Sequence, residues 1–113
     1  MKHPNPYLLH IIDAIDKIQT FIKGLTFKTF LKDVKTQDAV IRNLEIIGEA
    51  STHLEQKFIK QIPQIPWREL KDFRNKLIHD YWELDFKLIW KVAVKRAPQL
   101  KKLLEPVVEK LKD

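Results

Sequence analysis

The ten residues Phe73-Arg74-Asn75-Lys76-Leu77-Ile78-His79-Asp80-Tyr81-Trp82 place an arginine, an amide, a histidine and a tyrosine within eight positions, on a helix predicted from Trp67 to about His79 and the short turn, residues 80–85, that follows it. On an α-helix, at about 100° per residue, Arg74 and His79 point about 140° apart, whereas Asn75 and His79, four residues apart, share a face. One helix therefore cannot easily aim Arg74 and His79 at the same point. Measured from Leu70, the side chains of Leu77, Phe73, Trp67, Ile78 and Arg74 all fall within roughly 80°, while His79, Asn75 and Asp72 lie on the far side. Arg74 is thus embedded in an apolar stripe, where a guanidinium without a partner costs on the order of several kcal/mol. A second copy of the chain against the stripe, or a phosphate ligand, would supply that partner, with His79 delivered from the helix end.

Outward from this stretch the chain reads as helix after helix. Leu8, Ile11, Ile12, Ile15, Ile18, Ile22 and Leu25 recur at three- and four-residue steps, which predicts a first helix over about residues 6–23. Gly24 ends it. Residues 26–33 predict a short helical turn that tucks Phe27, Phe30 and Leu31 onto the core. A second helix then carries Val40, Ile41, Leu44, Ile47, Leu54 and Phe58, with Thr36 or Asp38 as its N-cap. Gly48 interrupts that stripe. A glycine inside a helix costs about 1 kcal/mol relative to alanine, so its purpose is the close approach of another backbone.

Pro63 and Pro66 close the second helix and open a rigid turn, and Pro66 suits the first turn of the motif helix. Asp85 caps a last helix carrying Ile89, Trp90, Ala93, Ala97, Leu100, Leu104, Val107, Val108 and Leu111. Pro98 should kink or break it near Arg96. No repeat or linker divides residues 1–113, so the sequence predicts a single all-α domain, an up-and-down bundle of four to five helices.

Composition narrows the function classes. With 113 residues, 44% hydrophobic and 32% charged, the chain is an ordinary globular domain with a modest core. It has no cysteine, which excludes disulfide scaffolds, thiolate nucleophiles and cysteine zinc sites. No apolar run approaches a membrane span and the N-terminal residues resemble no leader, so the expected location is the cytoplasm, with no membrane partner. The net charge of +6 is uneven: residues 86–113 hold eight Lys/Arg against three Asp/Glu. That surplus, with Lys91, Lys95 and Arg96 grouped at the expected bend, suits RNA phosphates, although a solvated helix face accounts for it equally well.

The spacing Arg74, four residues, His79, one residue, Tyr81 resembles the R-x4-H-x-Y signature of HepT-like HEPN proteins, the toxin half of MntA/HepT toxin–antitoxin pairs. Arg42-Asn43-Leu44-Glu45-Ile46-Ile47-Gly48-Glu49-Ala50 resembles the family's second-helix block, and Ile65-Pro66-Trp67-Arg68-Glu69-Leu70 its lead into the motif helix. The resemblance implies a HEPN-like bundle that dimerises through the motif-helix region. It also implies a ribonuclease whose Arg74 and His79, from two protomers, form a composite cleft without metal or other cofactor. A nucleotidyltransferase antitoxin, MntA-like, would silence it by attaching AMP to Tyr81.

The residues themselves suit that chemistry. Histidine, with an ordinary pKa of about 6.5, moves protons near neutral pH. The planar arginine fork gives paired hydrogen bonds to phosphate oxygens that lysine cannot copy. Asn75, on the face of His79, is placed to hold the imidazole or the ribose. Arg42, Glu45 and Glu49 are candidate supporting groups. Glu49 and His53, four apart, are the nearest thing to a metal pair, but they lack a third ligand on a matching face, and surface pairing explains them as well. His3 and His10 read as incidental.

A different reading uses the same residues. Arg74 as a structural ion-pair partner of Glu45 or Glu49, His79 as a cation at a helix C-terminus, and Tyr81 as a packed aromatic give a non-catalytic helical interaction module. Such a module would bind a nucleotidyltransferase or nucleic acid. A zinc or iron bundle enzyme is a third class, and stoichiometric metal would be its mark.

Overall fold

The periodic isoleucines and leucines of the N-terminal third fold as their spacing dictates, into α1 (Pro6–Ile22), whose inward face buries Leu8, Ile11, Ile15 and Ile18. Residues 5–80 and 82–111 are described by the structure, a computed structural model. Asn5 caps α1, its side-chain oxygen accepting from the Tyr7 N–H at 2.8 Å. Gly24 lies just beyond the helix at φ +80°, a left-handed conformation open to a residue without Cβ.

The short α2 (Phe27–Phe30) buries Phe30 completely, against Phe86 and Trp90. Phe27 is half-buried, but Leu31 is 45% exposed and does not join the core as its composition suggests. A four-residue helix turns only one face inward, and Leu31 is its C-cap.

The central element is α3 (Val34–Thr52), packed on α1 along one side and on α5 (Trp67–His79) along another. Its cap is Asp33, not Thr36 or Asp38: one carboxylate oxygen accepts from the Thr36 N–H at 3.0 Å and the other from the Thr36 hydroxyl at 2.6 Å. These two bonds hold the Asp33 carboxyl below its usual range. The helix also stops earlier than the apolar stripe suggests. Ser51 and Thr52 donate their hydroxyls back to the Gly48 and Glu49 carbonyls, at 2.6 and 2.7 Å, a local pattern that competes with helix propagation. Phe58 consequently sits on a separate short helix, α4 (Gln56–Gln61).

Gly48 carries out the close approach its position implied. A Cβ there would fall 2.8 Å from Arg74 Cγ and 3.2 Å from the Leu70 carbonyl oxygen, so α5 presses directly against α3. Among the described residues of α5 only Leu77 is fully buried, because this helix meets the bundle chiefly through α3.

The last helix begins at Asp85, which caps α6 (Phe86–Lys91) through the Leu88 N–H. It is not broken by Pro98. A π-helical segment at Val92–Arg96 joins α6 directly to α7 (Ala97–Leu111), the Ala97 N–H donating to the Val92 carbonyl five residues back. The wider turn relieves the clash of the proline ring with the preceding carbonyls and keeps the rod continuous. Lys101 ties α7 to α1 through Asp16 at 2.6 Å, a bond that raises the Lys101 pKa. Taken together, α1, α3, α5 and the α6–α7 rod are the four long members of an all-α bundle, with no strand among the described residues. No helix among those residues is long and apolar enough to cross a membrane.

Candidate active site

Because Gly48 lets α5 approach, the base of the Arg74 side chain lies against α3 and its guanidinium emerges beside Glu49, one turn-position further on. Arg74 Nη2 donates to Glu49 Oε2 at 2.6 Å, and Nη1 donates to the Asn75 side-chain oxygen at 3.0 Å. The side chain is only 24% exposed, and its Nε is buried with no hydrogen-bond partner among the described residues. The embedded guanidinium therefore finds its carboxylate within the same chain, on α3. Of the partners the sequence left open, a second subunit, a phosphate or a carboxylate of the same chain, the last is present here. Of the two carboxylates open to the sequence reading, geometry selects Glu49; Glu45, one turn earlier, lines the same cleft and makes no ion pair among the described residues.

The cleft around Arg74 has a volume of about 400 Å³ and lies between α1, α3 and α5. His53 Nε2 stands 3.5 Å from Glu49 Oε1, so Glu49 is shared between His53 and Arg74. The His53 ring stacks on Tyr7 of α1 at 5.0 Å and 14°, and His10 stands edge-on to Tyr7 at 6.0 Å. Arg42 completes the rim, without an ion-pair partner among the described residues.

Asn75 and His79 are not joined in the way their shared helical face suggested. The Asn75 side chain turns to Arg74 and holds the guanidinium. His79 ends α5, exposed, with no hydrogen-bond or ion-pair partner among the described residues, and it does not line the Arg74 cleft. The separation of about 140° read from helical geometry is thus carried into the fold. Tyr81 lies outside the described residues.

The basic candidates lie elsewhere. Lys91 and Arg96 line a second groove of about 480 Å³, between α5 and the α6–α7 rod, that shares no lining residue with the Arg74 cleft. Arg96 is engaged there by Glu69 of α5, and Lys95 lines neither groove. What sequence reasoning missed is the Tyr7–His10–His53 group. The i, i+3 spacing of Tyr7 and His10 and the i, i+4 spacing of Glu49 and His53 were visible signals, but only the packing of α1 on α3 brings them together.

Fold and site together define an all-α bundle in which one helix carries a half-buried arginine and ends on an exposed histidine. The family model described as "Ribonuclease HepT-like" matches residues 11–107, and the chain belongs to that family of RNA-cleaving enzymes. "Probable ribonuclease HepT" of Thermococcus cleftensis is 47% identical over 95 residues, covering 84% of this chain and 86% of that protein. "Putative RNase TTE0752" of Caldanaerobacter subterraneus subsp. tengcongensis is 38% identical over 112 residues, covering 99% of this chain and all of the other. "Putative RNase MJ0127" of Methanocaldococcus jannaschii is 39% identical over 108 residues, covering 96% and 89%. No solved structure gives a significant match.

Proposed function

We propose that the protein is a metal-independent endoribonuclease toxin of a type VII-like toxin–antitoxin pair, acting as a homodimer through the motif-helix region. The observation that carries this reading is the placement of the two motif residues. Arg74 is fixed in a cleft by Glu49 and Asn75, while His79 stands exposed outside that cleft at the helix end. A two-fold pairing of α5 brings the histidine of one protomer toward the arginine of the other. Ile78, next to His79 on α5 and 47% exposed, offers apolar surface for that pairing.

In this scheme the ribose 2′-oxygen attacks the adjacent phosphorus and the bond to the 5′-oxygen breaks, leaving a cyclic phosphate and a 5′-hydroxyl. One His79 takes the 2′-hydroxyl proton and the second, from the other protomer, gives a proton to the departing 5′-oxygen. The Arg74 fork stabilises charge gathering on the phosphoryl oxygens. The side chains present are acid–base groups: no cluster of three or more His, Asp or Glu is assembled for a metal among the described residues. A nucleotidyltransferase antitoxin attaches AMP to Tyr81, adding bulk and negative charge two residues from His79, where RNA phosphate must sit.

The Glu49–Arg74 ion pair also favours a second reading, a non-catalytic module in which Arg74 is structural. One experiment separates them. Wild type and His79→Ala are incubated with total RNA in excess EDTA, product ends are mapped, and the protein mass is checked for an adduct on Tyr81. Cleavage by wild type alone, leaving cyclic phosphate ends, is the expected result. Unmodified wild type that leaves RNA intact points instead to the interaction module.

A further inference from the structure

The Arg74 cleft holds more than the motif needs. Its wall away from α5 is aromatic: the nearly parallel Tyr7–His53 pair with His10 set edge-on against Tyr7. Its rim carries Arg42, a guanidinium with no ion-pair partner among the described residues. Arg74 gives one N–H of each terminal nitrogen to Asn75 and Glu49 and keeps the second of each, while Glu49 lies between Arg74 and His53. The cleft thus offers a stack of flat rings, the Arg42 cation, the remaining Arg74 N–H groups and the Glu45 carboxylate, beside the apolar Ile46, Ala50 and Ile78.

That combination matches the parts of a nucleotide. Flat rings receive bases by stacking whatever their sequence, a guanidinium grips phosphate through a two-pronged fork, and a carboxylate accepts from an exocyclic amino group. The volume of about 400 Å³ falls within the range of small-ligand clefts. The cleft lies between α1, α3 and α5, clear of the groove that holds Lys91 and Arg96.

We propose that this cleft is a base-binding subsite for single-stranded RNA, in which one nucleobase continues the Tyr7–His53 stack and its phosphate is held by Arg42, next to the phosphate that Arg74 addresses. Tyr7 and His53 are binding residues here, and Arg42 sets the register of the strand. The proposal rests on the ribonuclease reading for the identity of the strand, but its geometry belongs to one protomer and does not require cleavage.

The test uses a single-stranded probe of three deoxycytidine nucleotides, which lacks the 2′-hydroxyl and cannot be cut, so binding is read apart from catalysis. Affinity is measured by calorimetry on the full chain across a salt series. Tyr7→Leu weakens binding at least tenfold, within the range for one lost base–aromatic stack. Tyr7→Phe, which keeps the ring, restores it to within about twofold of wild type on the same scale. Arg42→Ala weakens binding and lowers the salt slope by about one phosphate contact. Arg42 and His53 are exposed, so Arg42→Ala and His53→Ala carry the test if Tyr7→Leu fails to fold.

Binding that is equal in wild type, Arg42→Ala and His53→Ala overturns the subsite, as does a wild type that cleaves RNA yet shows no affinity for the probe at millimolar concentration. Ring-dependent binding by a wild type of unmodified mass that does not cleave RNA upholds the subsite and sinks the nuclease reading, so the two failures are distinguishable.

Discussion

Replacing Gly48 by alanine tests the contact on which the position of Arg74 depends. A Cβ at residue 48 stands 2.8 Å from Arg74 Cγ and 3.2 Å from the Leu70 carbonyl oxygen, and nearer still to Arg74 Cβ. Carbon atoms rest about 3.5–4.0 Å apart, so the two surfaces must separate by at least about 1 Å. Rotamer changes cannot absorb this, because Arg74 Cβ and the Leu70 carbonyl are fixed to the α5 backbone. Two terms then oppose each other. Alanine improves the helix propensity of α3 by about 1 kcal/mol. Overpacking a closed contact costs about 1–3 kcal/mol, and a clash with atoms fixed to the backbone lies in the upper part of that range, about 2–3 kcal/mol.

The expected net loss is about 1–2 kcal/mol, which lowers Tm by about 4–8 °C in a domain of this size. A thermal melt followed by circular dichroism reads it directly. RNA cleavage should fall further than stability, by about a hundredfold, since a displacement of about 1 Å in a catalytic group has that effect. A Gly48→Ala variant that melts at or above the wild-type temperature would refute the reasoning: the propensity gain would be realised without a clash, and α5 would not press on α3 at that point.

Two further outcomes follow from the same geometry. Arg74→Lys keeps the charge but has one nitrogen to offer where Glu49 and Asn75 occupy two; cleavage should drop more than tenfold with stability within about 1 kcal/mol of wild type, read from paired rate and melting measurements. Asp33 has its carboxyl pKa depressed below the ordinary 3.8 by the Thr36 hydroxyl and N–H. A lowered folded pKa stabilises above the unfolded value and is lost as pH falls through the folded one. Asp33→Asn should therefore melt below wild type at neutral pH, the gap closing as pH falls beneath the carboxylate range. A gap that stays constant or widens on acidification contradicts the cap's charge-based role.

Much of the fold was legible because helical period and capping are local. Leu8, Ile11, Ile15 and Ile18 bury as their spacing requires, and Asp85 caps where an acceptor three residues before Leu88 must. Gly48 announced a helix contact because no local benefit explains a mid-helix glycine. Where the reading slipped, a competing local interaction was responsible. Thr36 is held by Asp33 and so is not the cap, and the Ser51 and Thr52 hydroxyls end α3 before its apolar stripe runs out. Pro98 is absorbed by the π-helical turn, which the sequence spells no differently from an α-helical one.

The site divides along the same line. About 100° per residue along one helix already puts Arg74 in an apolar face and turns His79 away from it, and the cost of burying a lone guanidinium already calls for a carboxylate or phosphate. Only the tertiary structure decided that the carboxylate is Glu49 and not Glu45, and that Arg96 and Lys101 belong to Glu69 and Asp16. It alone gathered Tyr7, His10 and His53 around the same cleft. Those pairings join residues as far apart as Asp16 and Lys101, and a charge at such separation finds its partner only through the packing of helices, which side-chain periodicity along any one of them does not encode.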